Sequence, residues 1–165
     1  ELDDYQSAEG LDLETPIPLS GVIEEILAVR LGVTETQFSI EFDERSAMPM
    51  PLIRRGPELM HALEDLLRNA NDFAAEVVTV LIRSSVDDVI ITIRDDGPGF
   101  PAGVLARVGA PWNSSRGTEG GHRGLGIFIA STLIESLGGS ILYGNRRAGG
   151  GEVTINLPRQ TLVNM

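Results

Sequence analysis

The chain has 165 residues, 24 acidic and 13 basic, for a formal charge of −11, a length that fits one domain with a sizeable core. With 42% hydrophobic and 22% charged residues, it is too apolar to stay disordered and too evenly mixed to be membrane-embedded. The acidic excess argues against nucleic acid and against direct contact with an anionic membrane surface; every basic residue is Arg and Cys is absent, which excludes a Schiff-base or P-loop lysine, disulfides and thiolate chemistry.

Residues 1–16 are acidic and aperiodic and read as a linker, with the folded domain expected over 17–160 and a tail over 161–165. Val22, Ile23, Ile26, Leu27 and Leu31 recur at helical spacing, with Ser20 as a candidate cap and Gly32 as a stop. Phe38, Ile40 and Phe42 alternate with polar residues and predict a half-buried strand. The stretch MPMPLIRRGP reads as a loop ended by Pro57, suited to the first turn of the next helix.

That helix, over 57–75, carries Leu63, Leu66, Leu67, Ala70, Phe73 and Ala74 on one stripe. His61, Asp65, Arg68 and Asp72 fall opposite, and Asn69 sits at the border. VVTVLIRSS and DVIITIRDD then predict a hairpin, and a short helix is expected over 104–108. A loop of small and polar residues fills 109–123, a length that inside a compact domain points to function. A helix over 124–137 stops at Gly138 and Gly139, and SILYGN and EVTINLP close the chain as a hairpin across RRAGGG. The architecture predicted is an α/β (α+β) two-layer sandwich, with helices on one face of a mixed sheet.

Three segments carry chemistry. Val89, Ile91 and Ile93 share one parity of their strand and Asp95 continues it, so its carboxylate faces the apolar layer and needs donors from the protein or from a ligand. Gly97 and Gly99 follow, permitting close approach of backbone to a flat ligand, although a tight turn capped by Asp95 would account for the same residues. Gly124 and Gly126 open a helix whose first amides lack acceptors, an anion site to which Arg116, His122 and Arg123 could add donors; a glycine-rich start shaped for packing is the plainer alternative. Asn69 offers a neutral oxygen suited to Mg²⁺, with Asp65 and Asp72 at i−4 and i+3 able to orient water or metal, or simply to lie on a solvated helix face.

Asn69 in DLLRNANDFA, Asp95 in DDGPGF 26 residues later, and Gly124 after a further 29 resemble the N, G1 and G2 boxes of the GHKL nucleotide-binding superfamily, named for gyrase, Hsp90, histidine kinase and MutL. The resemblance spans roughly residues 17–158, and GLGIFIAST, LGGSILYGN and EVTINLP resemble the catalytic domain of a bacterial sensor histidine kinase. It implies a Bergerat fold that binds ATP. Asp95 would accept the adenine amino group, with Gly97 and Gly99 beneath the base and Asn69 on Mg²⁺. Gly124, Leu125 and Gly126 would approach the phosphates, and residues 111–123, with Trp112 near their start, would form the ATP lid.

The pattern departs from that family in places. Asp65 stands where Asn is common, Asp72 stands near a position where Lys or Arg is common, and His122 replaces a further Gly. No phosphoacceptor histidine box is visible, since neither His61 nor His122 has the surroundings of an acceptor. The resemblance therefore implies a dimerisation and phosphoacceptor domain elsewhere in the same protein, reached through 1–16, and a response regulator receiver domain as the next partner. The domain would face cytosolic ATP, whether or not the intact protein is anchored in the inner membrane. The FIA and NDFA segments resemble RegB-type kinases. Competing readings are another GHKL ATPase, an anti-sigma-factor serine kinase, and a non-catalytic nucleotide-sensing docking module.

Overall fold

The computed structural model describes residues 15–108 and 121–163, and the side chains of all of these except 108 and 121–126. Its first ordered pairing is β1 (Ile17–Pro18) with β3 (Leu52–Ile53), a two-residue antiparallel ladder that places Ile17 opposite Ile53. The sequence reading has only loop at 52–53, because two residues carry no periodicity. Helix α1 (Leu19–Glu25) continues into a π-helical turn (Ile26–Leu31) that ends at Gly32, whose amide reaches the Leu27 carbonyl. Its N-cap is Pro18 without a side-chain cap, so Ser20 lies inside the helix instead of capping it. Leu19, Val22, Ile23 and Ile26 are buried.

The main sheet has five strands in the order β2-β4-β5-β7-β6: β2 (Gln37–Phe42), β4 (Val77–Ser84), β5 (Asp88–Asp95), β7 (Gly151–Pro158) and β6 (Ser140–Asn145). Only β2 and β4 run parallel, so the sheet is mixed. Its core face takes alternate residues: Val78, Val80 and Ile82 on β4, Val89, Ile91 and Ile93 on β5, Val153, Ile155 and Leu157 on β7. Helix α2 (Pro57–Phe73), with Gly56 as N-cap and Pro57 in its first turn, covers that face with Leu59, Leu63, Leu66 and Leu67. It ends two residues short of the expected 75, at Ala74, whose backbone turns extended.

Helix α3 (Ala102–Val108) precedes α4 (Gly121–Ser136), which packs beside α2 through Ile127, Ala130 and Ile134. This is the two-layer sandwich with helices on one face. Helix α4 opens three residues earlier than the sequence predicts. Glycine costs about 1 kcal/mol in a helix interior, a penalty that the buried stripe downstream offsets. At the other end, α5 (Arg159–Val163) follows β7 directly and buries Leu162. The Arg159 guanidinium donates to Ser84 Oγ at the far end of β4, and its amide donates to the Asp87 carbonyl. None of the described helices is long and apolar enough to cross a membrane.

Candidate functional site

Parity places Asp95 at the end of β5 on the core side, where it is 4% exposed. Its Oδ1 accepts two backbone amides, from Gly97 at 2.9 Å and from Gly151 at 3.2 Å. The first is the local turn bond anticipated from DDG; the second comes from the start of β7. Both bonds land on Oδ1, so Oδ2 retains its accepting capacity. A carboxylate so placed can accept one further donor in a water-poor setting, where such a bond is strong.

The neighbouring Asp96 plays a different part, missed by the sequence reading. Its parity is opposite, and its carboxylate turns to the end of α2, where it accepts the amides of Ala75, Glu76 and Val77 at 2.9–3.1 Å. The amides of Glu76 and Val77, with a lesser part from Ala75, hold its carboxyl below the usual range against an opposing effect of burial. Gly97 sits on the same junction: a Cβ there would lie 1.9 Å from the Phe73 carbonyl oxygen. Glycine at 97 is thus required by packing against protein backbone. The Phe73 ring meets Phe100 edge-on, with centroids 5.6 Å apart. Asp96, Gly97 and Phe100 together fasten the turn after β5 to the C-terminal end of α2.

Asn69 lies one helical turn before Phe73 and is therefore brought to the same junction. The border position predicted for it is a buried one, at 7% exposure, and its Oδ1 has no hydrogen-bond partner. An orphaned buried oxygen is costly unless something binds it. A neutral amide oxygen is a donor that Mg²⁺ accepts. Among the described residues no group of three or more His, Asp or Glu converges to hold a metal.

Asp65, one turn earlier, is partly buried, with His61 Nε2 3.3 Å from its Oδ2. Burial raises its carboxyl above the usual range; His61 and Arg68 pull it back and Glu64 adds to the rise. Asp72 is exposed.

Arg116, Trp112 and the greater part of the expected lid lie outside the described residues. His122 and Arg123 are in α4 and not in a loop, as are Gly124, Leu125 and Gly126. The open amides of that helix accordingly belong to residues 121–123 and not to Gly124 onward, because a helix leaves only its first turn of N–H groups free. The helix is tied to the sheet by Tyr143 on β6, whose hydroxyl donates to the Ile127 carbonyl at 3.2 Å and shares a 2.6 Å bond with Ser131 Oγ. Desolvation raises that phenol to about 12.

The family model described as "Histidine kinase-, DNA gyrase B-, and HSP90-like ATPase" matches residues 55–161, which takes in α2, the turn after β5, α4 and the closing hairpin. Sensor histidine kinase RegB of Cereibacter sphaeroides is 31% identical over 152 residues, covering 87% of this chain and 31% of RegB. The C4-dicarboxylate transport sensor protein DctB of Pseudomonas aeruginosa is 32% identical over 139 residues, 74% of this chain and 22% of DctB. The chain thus spans a third or less of the length of these relatives. Among solved structures, a nucleotide-free catalytic domain of histidine kinase ThkA superposes with a TM-score of 0.68 at 21% identity, over 88% of this chain and 97% of that one. Full-length ShkA in complex with AMPPNP gives 0.65 at 21% identity, over 88% of this chain and 31% of ShkA. The fold is that of histidine kinase catalytic domains, and the chain belongs to the histidine kinase-, DNA gyrase B- and HSP90-like ATPase family.

Proposed function

We propose that this chain is the ATP-binding catalytic domain of a two-component sensor histidine kinase. It passes the γ-phosphoryl of ATP to a histidine on a separate helical dimerisation domain of the same protein, from which a response regulator receiver domain takes it. The observation that carries this reading is the pair formed by Asp95 and Asn69. One is a buried carboxylate with a free accepting oxygen; the other is a buried amide oxygen with no partner; they lie on β5 and α2, which pack against each other, in a chain related to sensor histidine kinases over most of its length.

In this reading Asp95 accepts the adenine amine and excludes bases that offer an acceptor there, while Asn69 holds Mg²⁺ with Asp65 orienting its water. Held there, Mg²⁺ would offset the negative charge of the bound nucleotide. The amides opening α4 and the guanidinium groups of Arg116 and Arg123 bind the phosphate chain, together with His122 and the glycines 124 and 126 beside Leu125. In the transfer the γ-phosphorus exchanges its bond to the bridging oxygen for one to an imidazole nitrogen, so the enzyme's task is alignment and charge stabilisation. The domain faces cytosolic ATP.

The chain's own histidines do not serve as acceptors. His61 precedes Asn69 by two helical turns, about 12 Å along the axis, and is fixed to the helix that would ligate the metal. Incubation with γ-labelled ATP should leave the isolated chain unlabelled, and addition of its cognate acceptor domain should produce acid-labile label on that domain. Acid-labile label on His61 or His122, or no transfer to the acceptor despite bound ATP, refutes the proposal.

A further inference from the structure

The turn after β5 is anchored at one end by Asp96 and Gly97 on α2. Its other end is held from β6. Asn145, the last residue of β6, accepts the Phe100 amide on Oδ1 at 2.7 Å and donates from Nδ2 to the Phe100 carbonyl at 3.0 Å. This is a two-point clamp on one peptide segment, the side-chain counterpart of a strand pair. Gly99 completes the fit: it has φ +86°, and a Cβ there would sit 2.8 Å from Asn145 Oδ1. On the same inward parity of β6, Tyr143 presses its ring edge-on against Phe100, with centroids 6.1 Å apart. From the adjacent strand, Gly151 leaves room for the Phe100 ring and gives its amide to Asp95.

We infer that Asn145 is a positioning residue for base recognition: by clamping Phe100 it sets the turn 96–100, and with it the direction in which Asp95 Oδ2 faces a purine. Asn145 is itself exposed, so its amide contributes little to core packing. Its two bonds go to a backbone that is already tethered at Asp96, and what they add is the placement of the far end. A loop held at one end and loose at the other still admits a nucleotide through its phosphates, but distinguishes bases poorly.

The inference rests on the proposed adenine site, and the test separates the two. The chain is titrated calorimetrically with ADP and with inosine diphosphate, which replaces the exocyclic amine by a carbonyl, in wild type, Asn145→Ala, Asn145→Asp and Asp95→Asn. Asn145→Ala should weaken ADP about tenfold, the scale of one to two net hydrogen bonds, while changing inosine diphosphate less than about threefold, with the melting temperature of the empty protein held within a few degrees. Asn145→Asp, which keeps the acceptor for the Phe100 amide and loses the donor, should fall between the two and serves if the Ala variant fails to fold. Equal weakening of both nucleotides, or unchanged ADP affinity, in the Asn145 variants while Asp95→Asn destroys ADP binding would overturn the role of Asn145 alone. Unchanged ADP affinity in Asp95→Asn would instead remove the adenine site on which it rests.

Discussion

Replacing Asp95 by Asn separates the two tasks that its carboxylate performs. Oδ1 satisfies the Gly97 and Gly151 amides, and a carboxamide can do the same if its oxygen stays beneath those N–H groups. The new NH₂ then occupies the place of Oδ2 and confronts an adenine amine donor to donor. Loss of one desolvated, charge-assisted bond is worth about 1.5–3 kcal/mol, so ADP affinity should fall on the order of ten- to hundredfold. The stability of the empty protein should change by less than about 1 kcal/mol. Asp95→Ala is the contrasting perturbation: it strands two N–H groups around a side chain that is 4% exposed, at a cost of about 2–4 kcal/mol in folding stability. Calorimetric titration and thermal unfolding of both variants read the two effects independently. Inosine diphosphate, with an acceptor where adenine has a donor, should gain affinity in Asp95→Asn relative to wild type. An Asn variant that binds ADP as wild type does, or that unfolds as readily as the Ala variant, would refute the division of labour between Oδ1 and Oδ2.

Asn69→Ala removes an oxygen that has no partner in the empty protein, so the empty variant should melt at the same temperature or a few degrees higher, while the Mg²⁺-dependent part of ATP affinity is lost and metal-free binding is kept. A lower melting temperature, or equal losses with and without Mg²⁺, would make Asn69 structural. Asp65 is an acid whose folded pKa is raised, chiefly by burial, above the ordinary 3.8. The folded state therefore binds its proton more tightly than the unfolded state, and stability is lost as pH rises from the ordinary value through the raised one. Asp65→Asn should remove that loss, raising stability at neutral pH by a margin that vanishes below the ordinary carboxylate pKa. Denaturant melts across the acid range check it, and a gain that persists at the acid end would assign the effect to something other than ionisation.

The sequence by itself determined what local periodicity encodes. The alternation through Val89, Ile91 and Ile93 is enough to bury Asp95, and the stripe of α2 is enough to set Asn69 at the edge of the core, because the periods of strand and helix dictate which face a side chain occupies. Spacing of these residues carried the family resemblance as well. Tertiary structure decided who satisfies the polar groups. Gly151, which donates to Asp95 from 56 residues away, is reached only because β7 inserts between β5 and β6. Asp96 looks interchangeable with Asp95 in the sequence, and its opposite parity turns it to three amides beyond the end of α2. The two-residue strands β1 and β3, the earlier start of α4 and the helix at 159–163 were equally illegible. Each is settled by packing against a distant element, and a one-dimensional pattern records the face a residue shows but not the neighbour that face will meet.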